Sequence, residues 1–193
     1  MQRKTYDTIK KERSMLNVER MACSPKIKSY NLADHSYYVA MMFQDLADEY
    51  EIQYDIEVMK IVMRHDFMEA FTGDLIYPVK NLSEDTSKAW NLIEKESYDY
   101  NSGRYNGIYS DADIRAILTP EQFALLKACD AFELFLFCMS EYRLGNHTPE
   151  LKEILLNCFY IEQDKRINQF EVVKDIVTQM IAECAEIHLI KEK

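Results

Sequence analysis

The sequence predicts an all-α protein, and three observations carry that expectation. Only four glycines and four prolines occur in 193 residues, too few for the many turns of a β-rich chain. Apolar residues recur at i, i+3, i+4 and i+7 through most of the chain, the spacing of one buried helix face. Helix-start signals recur as well, most clearly Thr119-Pro120-Glu121 and Thr148-Pro149-Glu150. Each supplies a capping threonine, a proline at the first helical position and an early acid.

Taken in order, residues 3–18 read as a first helix, with Tyr6, Ile9 and Leu16 among charges. The segment 18–33 contains Pro25, has no sustained period and reads as a loop. Asp34 stands as N-cap of a strongly periodic helix opened by His35 and carrying Val39, Met42, Phe43, Leu46, Ala47 and Tyr50. A further helix starts near Asp55, buries Ile56, Met59, Val62, Met63 and Phe67, and stops at Thr72-Gly73. Pro78 predicts an irregular 74–82.

Ser83, backed by Glu84 and Asp85, opens a helix with Ala89, Trp90 and Ile93. It gives way to a loop over Tyr98–Tyr109, marked by Gly103 and Gly107 and expected to be mobile. A short helix follows at 111–118. The helix begun at Thr119 runs to Gly145, with Phe123, Leu126, Asp130, Leu134, Phe137 and Cys138 near one face. The next spans Thr148 to Tyr160, and a last one covers 165–189 with Ile167, Phe170, Val173, Val177, Met180, Ile181, Cys184 and Ile187.

The length fits one domain over 1–193, and no repeat or linker divides the chain. A net charge of −10 argues against a protein that grips nucleic-acid backbones. It leaves room for a small phosphorylated substrate, because a metal and a few local cations offset the repulsion. Five widely spaced cysteines with no C-x-x-C pair read as free thiols of a reducing compartment. The N-terminal M-Q-R-K-T-Y-D lacks a signal-peptide core, and no run approaches membrane-spanning length. The expectation is a cytoplasmic protein with no membrane partner.

One stretch is chemically dense. From Arg64 to Lys80 the chain reads R-H-D-F-M-E-A-F-T-G-D-L-I-Y-P-V-K, with one imidazole and three carboxylates within ten residues. On a helix His65 and Asp66 flank one edge, and Glu69 lies over it a turn later. Two ligands beside a free carboxylate suit a divalent ion whose bound water is activated. Further ligands are needed. His35, at a helix start, and Asp130, a carboxylate on an apolar face, are the candidates. The same residues allow plainer roles: Glu69 as a surface acid, Asp74 as a turn residue after Gly73, Asp130 as the partner of an Arg or Lys. His147 and His188 read as ordinary packed or solvated histidines.

Four motifs in order weigh in favour of the metal. H-S-Y-Y-V-A at 35, R-H-D-x-x-E-x-x-T-G-D at 64, P-V-K at 78 and K-A-C-D-A at 127 resemble the HD-domain phosphohydrolases, most closely the 5′-deoxynucleotidase (YfbR-like) branch. The resemblance implies a single HD-type helical bundle. It also implies metal ligands at His35, His65, Asp66 and Asp130, water activation by Glu69 and leaving-group assistance by Asp74. Arg20 matches an arginine that grips the substrate phosphate, and Lys80 and Asn31 are further candidates to support the phosphate or the site. The implied cofactor is one divalent ion such as Mn²⁺, Co²⁺ or Mg²⁺, and the implied partners are a nucleotide and a second copy in a homodimer.

Two departures from that family bear on specificity. Met21 stands where the family has a tryptophan that crowds the sugar 2′ position, and Y-P-V-K replaces T-P-V-K, so Ile76 and Tyr77 shape the base pocket differently. Tyr77 stacks on a base or packs as a partly exposed residue. The expected function is a metal-dependent phosphohydrolase of (deoxy)nucleoside 5′-monophosphates. Its alternatives are a deoxynucleoside triphosphohydrolase with the same metal site, and a non-catalytic helical protein that binds nucleotide and metal.

Overall fold

The computed structural model describes residues 1–75, 77–80, 82–187 and 189, and of Tyr77 and Pro78 the backbone alone. Ten α-helices and no strand occur among these residues, so the all-α expectation holds. They are α1 (Arg3–Arg13), α2 (Leu32–Glu49), α3 (Ile56–Val62), α4 (Glu69–Thr72), α5 (Tyr77–Lys80), α6 (Glu84–Asn101), α7 (Asp111–Ile117), α8 (Pro120–Arg143), α9 (Pro149–Asn157) and α10 (Glu171–Glu186). They divide between two compact units. The first comprises Met1–Cys23, Ser29–Tyr37 and Ile56–Ile117; the second comprises Ser24–Lys28, Tyr38–Asp55 and Leu118–Lys193.

In the first unit Met15, Leu32, Phe67 and Ile108 form a buried cluster, flanked by Val18, Met68, Phe71, Tyr98 and Tyr105. The apolar residues counted for α1, namely Tyr6, Ile9 and Leu16, stay about half exposed, and Thr8 is buried instead. Thr8 is a hinge point for packing: its Oγ1 bonds Lys4 O at 2.8 Å and accepts the Asn106 N–H at 2.9 Å. With Tyr105 against Phe71 (5.0 Å between ring centroids) and Ile108 in the core, these contacts pack the glycine-bearing segment after α6 against the first unit. Residues 18–20 pair antiparallel with 30–32, through Arg20 N–H to Tyr30 O at 2.8 Å and Leu32 N–H to Val18 O at 2.9 Å.

Several boundaries differ from the sequence reading, three of them near the chemically dense stretch. The cap of α2 is Asn31, whose Oδ1 accepts the Asp34 N–H at 3.0 Å, so the helix opens at Leu32 and His35 is its fourth residue. The expected single helix from 55 to 72 is α3, then turns over 63–68, then α4. Pro78 sits inside the first turn of α5 rather than in irregular chain, a position where its missing N–H costs nothing.

In the second unit α8 packs against α9 and α10. Val39, Phe43 and Ala47 of α2 are fully buried, as are Leu125, Phe135, Met139, Leu155 and Met180. The Thr-Pro starts perform as read: Thr119 makes a reciprocal capping box with Gln122, and Thr148 accepts the Leu151 N–H. The last helix begins late. Asp164 draws Arg166 into a local turn, and Phe170 takes an extended backbone, so α10 starts at Glu171 rather than at 165. Glu141, fully buried on α8, accepts the N–H groups of Ile27 and Lys28 at 2.7 and 2.9 Å and fixes that loop. All five cysteines are free, and four are buried.

Candidate metal and catalytic site

The turns between α3 and α4 matter chemically. Arg64, Phe67, Glu69, Ala70 and Phe71 each donate their N–H to the carbonyl three residues back. Such tight turns advance about 120° per residue rather than 100°, so Asp66 and Glu69, three apart, eclipse each other. The sequence argument placed them near one edge of a regular helix; the tighter winding brings them onto one face.

His65 is buried, and its Nδ1 lies 2.8 Å from the Val62 carbonyl. A carbonyl only accepts, so Nδ1 carries a hydrogen, and Nε2 is the nitrogen that the neutral ring offers as a lone pair. That Nε2 is buried and makes no hydrogen bond among the described residues, and it faces Asp66 Oδ2 at 3.3 Å. His35 is fully buried, with Nδ1 3.2 Å from Tyr30 Oη and Nε2 3.5 Å from the same Asp66 oxygen. Tyr30 Oη orients the His35 ring, and where it accepts from Nδ1–H it leaves Nε2 as the metal-facing nitrogen, the usual way a neighbouring group orients a metal-binding imidazole. The donor atoms of His35, His65 and Asp66 lie within 4.8 Å of one another. The two Nε2 atoms and a half-buried carboxylate oxygen converge: as N–H donors the rings bond Asp66, and as neutral rings they turn lone pairs towards a cation set among them. This donor set fits a divalent metal.

Charge around the cluster is steeply organised. Burial alone would raise the Asp66 carboxyl, but His65, His35 and Arg20 outweigh it and hold the group well below the usual carboxylate range. Arg20, itself buried, donates from Nη1 to Asp66 Oδ2 at 3.0 Å, lies 3.7 Å from Glu69 Oε2 and stacks over Tyr30. Glu69 opens α4. Burial first, and then the Asp66 and Asp74 charges, push its carboxyl up to about 8, although Arg20 and Lys80 pull the other way. Its Oε1 meets Lys80 Nζ at 3.4 Å, and its Oε2 is buried without a hydrogen bond among the described residues.

Asp74, after the positive-φ Gly73, accepts the Met21 N–H through Oδ2 at 3.3 Å. Met21 is 5% exposed and has φ 51°, a region non-glycine residues seldom enter. Asp74 thus holds the bend that aims Arg20. Lys80 also lies over the Trp90 ring, and Asn31 is occupied in capping α2. Asp130 belongs to the second unit, on α8, with Lys127 Nζ 3.5 Å from Oδ2. The expectation that Ile76 shapes a base pocket lies outside the described residues, as do the Tyr77 side chain and His188. His147 packs against Tyr142, an ordinary role. Tyr30 was missed by the sequence reading. A loop tyrosine five residues before a helix-start histidine was its only signal.

A family model described as 5′-deoxynucleotidase YfbR-like matches residues 9–183. The chain belongs to the YfbR-like family. As a YfbR-like protein it is a metal-dependent nucleotide phosphohydrolase. It is 27% identical over 148 residues to the 5′-deoxynucleotidase YfbR of Salmonella typhi, covering 72% of this chain and 74% of that one. Its fold is similar to that of a cyanophage S-2L HD phosphohydrolase, DatZ, solved with dA and one catalytic Zn²⁺ (TM-score 0.61, 17% identity, 92% and 96% of the two chains). It is also similar to an HD-domain phosphohydrolase of Listeria innocua (TM-score 0.62, 16% identity, 92% and 98% coverage). Among the described residues no helix of this YfbR-like chain is long and apolar enough to cross a membrane.

Proposed function

We propose that this chain removes phosphate from nucleoside 5′-monophosphates, with deoxyribose the family's sugar and Met21 relaxing that preference. The observation that carries the reading is the convergence of donors from buried His35 and His65 and half-buried Asp66, with His65 Nε2 left without a hydrogen bond among the described residues. Asp130 is the proposed fourth ligand, on the strength of the K-A-C-D-A motif and its carboxylate chemistry. The resulting pair of imidazoles and pair of carboxylates suits Mn²⁺, Co²⁺ or Mg²⁺. When bound, such an ion supplies Lewis acidity and lowers the pKa of a coordinated water.

The chain's own groups do the rest. Glu69 orients the attacking water and takes its proton, a role its place one tight turn after Asp66 suits. Arg20 offers a planar fork of donors to the phosphate oxygens. Asp74 is the proposed donor to the departing sugar oxygen, which requires its protonated form. The products are a nucleoside and inorganic phosphate. Free buried thiols suit a reducing compartment, so the cytosol is the proposed location.

The test is a panel of mono- and triphosphates assayed in parallel with Mg²⁺, Mn²⁺ and Co²⁺. Release of inorganic phosphate from monophosphates supports the proposal. Release of triphosphate from deoxynucleoside triphosphates would move the substrate class, and metal binding without turnover of any nucleotide would reduce the chain to a binding protein.

A further inference from the structure

We infer that Arg20 competes with the metal for Asp66, so that metal and phosphate each draw the other in by freeing that pair. The inference rests on the phosphohydrolase reading above for the phosphate role of Arg20. The geometry is specific. Arg20 Nη1 is 3.0 Å from Asp66 Oδ2, the oxygen that both His35 Nε2 and His65 Nε2 face at 3.5 and 3.3 Å. One carboxylate oxygen therefore serves a guanidinium and closes the ligand cluster at once. A cation seated among the three donors must share or take that oxygen from Arg20, and it repels the guanidinium besides.

Arg20 is 9% exposed; Asp66 accepts from it at 3.0 Å, whereas Glu69 lies 3.7 Å away, and Asp74 adds its charge nearby. A phosphate oxygen is a better acceptor, because charge-assisted forked bonds to phosphate are strong. The Arg20–Asp66 pair therefore keeps the half-buried carboxylate compensated while metal is absent. Metal binding releases Arg20 towards phosphate, and phosphate releases Asp66 towards metal. Linkage requires the effect to be reciprocal.

Calorimetric titration of the metal-free chain with Mn²⁺, without and with inorganic phosphate, tests this. Removing the competitor in Arg20→Met should tighten Mn²⁺ binding in the absence of phosphate by about tenfold, the worth of one hydrogen bond to a charged group. The metal-free variant should melt lower than the wild type, since Asp66 loses its partner, and gain more from Mn²⁺. Phosphate should tighten Mn²⁺ binding in the wild type by a larger factor than in the variant. Should Arg20→Met not fold without metal, Arg20→Lys retains a shorter cation and should fall between. Unchanged or weaker Mn²⁺ binding in both variants would overturn the inference, because Arg20 would then support the ligand cluster rather than compete for it. Nucleotide turnover by the wild type is read separately, so failure of the functional reading leaves the Mn²⁺ comparison decisive for the competition.

Discussion

Glu69 and Asp66 show how two carboxyls three residues apart acquire opposite chemistry. Asp66 is surrounded by His65, His35 and Arg20 and stays ionised. Glu69 is buried with fewer cations and is pushed up to about 8. A base and a ligand are thereby separated by environment alone. Glu69→Gln keeps the shape and removes the base, so turnover should fall by roughly 10²–10⁴-fold while Mn²⁺ affinity measured by calorimetry changes little.

The same shift carries a stability consequence in the metal-free chain. The folded carboxyl binds its proton up to about 8 and the unfolded one only to 4.5. This group's contribution is therefore fully present below about 4.5 and is lost as pH rises towards 8. Asp66, depressed on folding, acts only below the ordinary carboxylate range and does not oppose it in this window. Urea unfolding of wild type and Glu69→Gln between pH 5 and 8 should diverge, the wild type losing stability with a slope of up to about 1.4 kcal/mol per pH unit. Parallel curves would mean that Glu69 titrates normally.

At the scale of elements, the α3–α4 connection is the critical piece. Its tight turns aim His65, Asp66 and Glu69 together, and the residue just before them is anchored. Arg64 donates to Glu12 Oε1 of α1 from Nε and Nη2 at 2.9 and 2.6 Å. Its guanidinium lies against Gly107, where an added Cβ would stand 2.6 Å from Nη1 and 2.7 Å from Cδ. Gly107 also has φ +66°, so a side chain there is strained twice over. Gly107→Ala should lower the unfolding free energy by roughly 1–3 kcal/mol, measured by denaturant titration. A smaller loss would show that Arg64 swings aside freely.

Much of this level was readable in the chain. The threonine caps at 119 and 148 were placed correctly because capping is a short-range bond between a side chain and an N–H three residues on. The break within 55–72 was not, because the apolar spacing there continues through the turns and only their hydrogen bonding changes.

For the molecule as a whole, a buried donor cluster of this kind couples metal to folding. Binding to the folded state alone stabilises it by about 2.7 kcal/mol at a metal concentration a hundredfold above Kd. Chelation should therefore lower the melting temperature, and His65→Ala should abolish that response together with turnover. A melting temperature indifferent to chelator in an active wild type would speak against a resident metal.

The sequence by itself determined the helical class, most helix starts and the kinds of donor offered at His35, His65 and Asp66. Those are local properties, set by periodicity, capping and side-chain chemistry. Only the tertiary structure decided that Val62 orients His65, that Tyr30 orients His35, and that Asp74 holds the Met21 backbone. It also decided that Arg20 meets Asp66 across 46 residues of chain. No spacing rule reaches that far: which lone pair faces which charge is fixed by packing, and packing is settled only when the whole core closes.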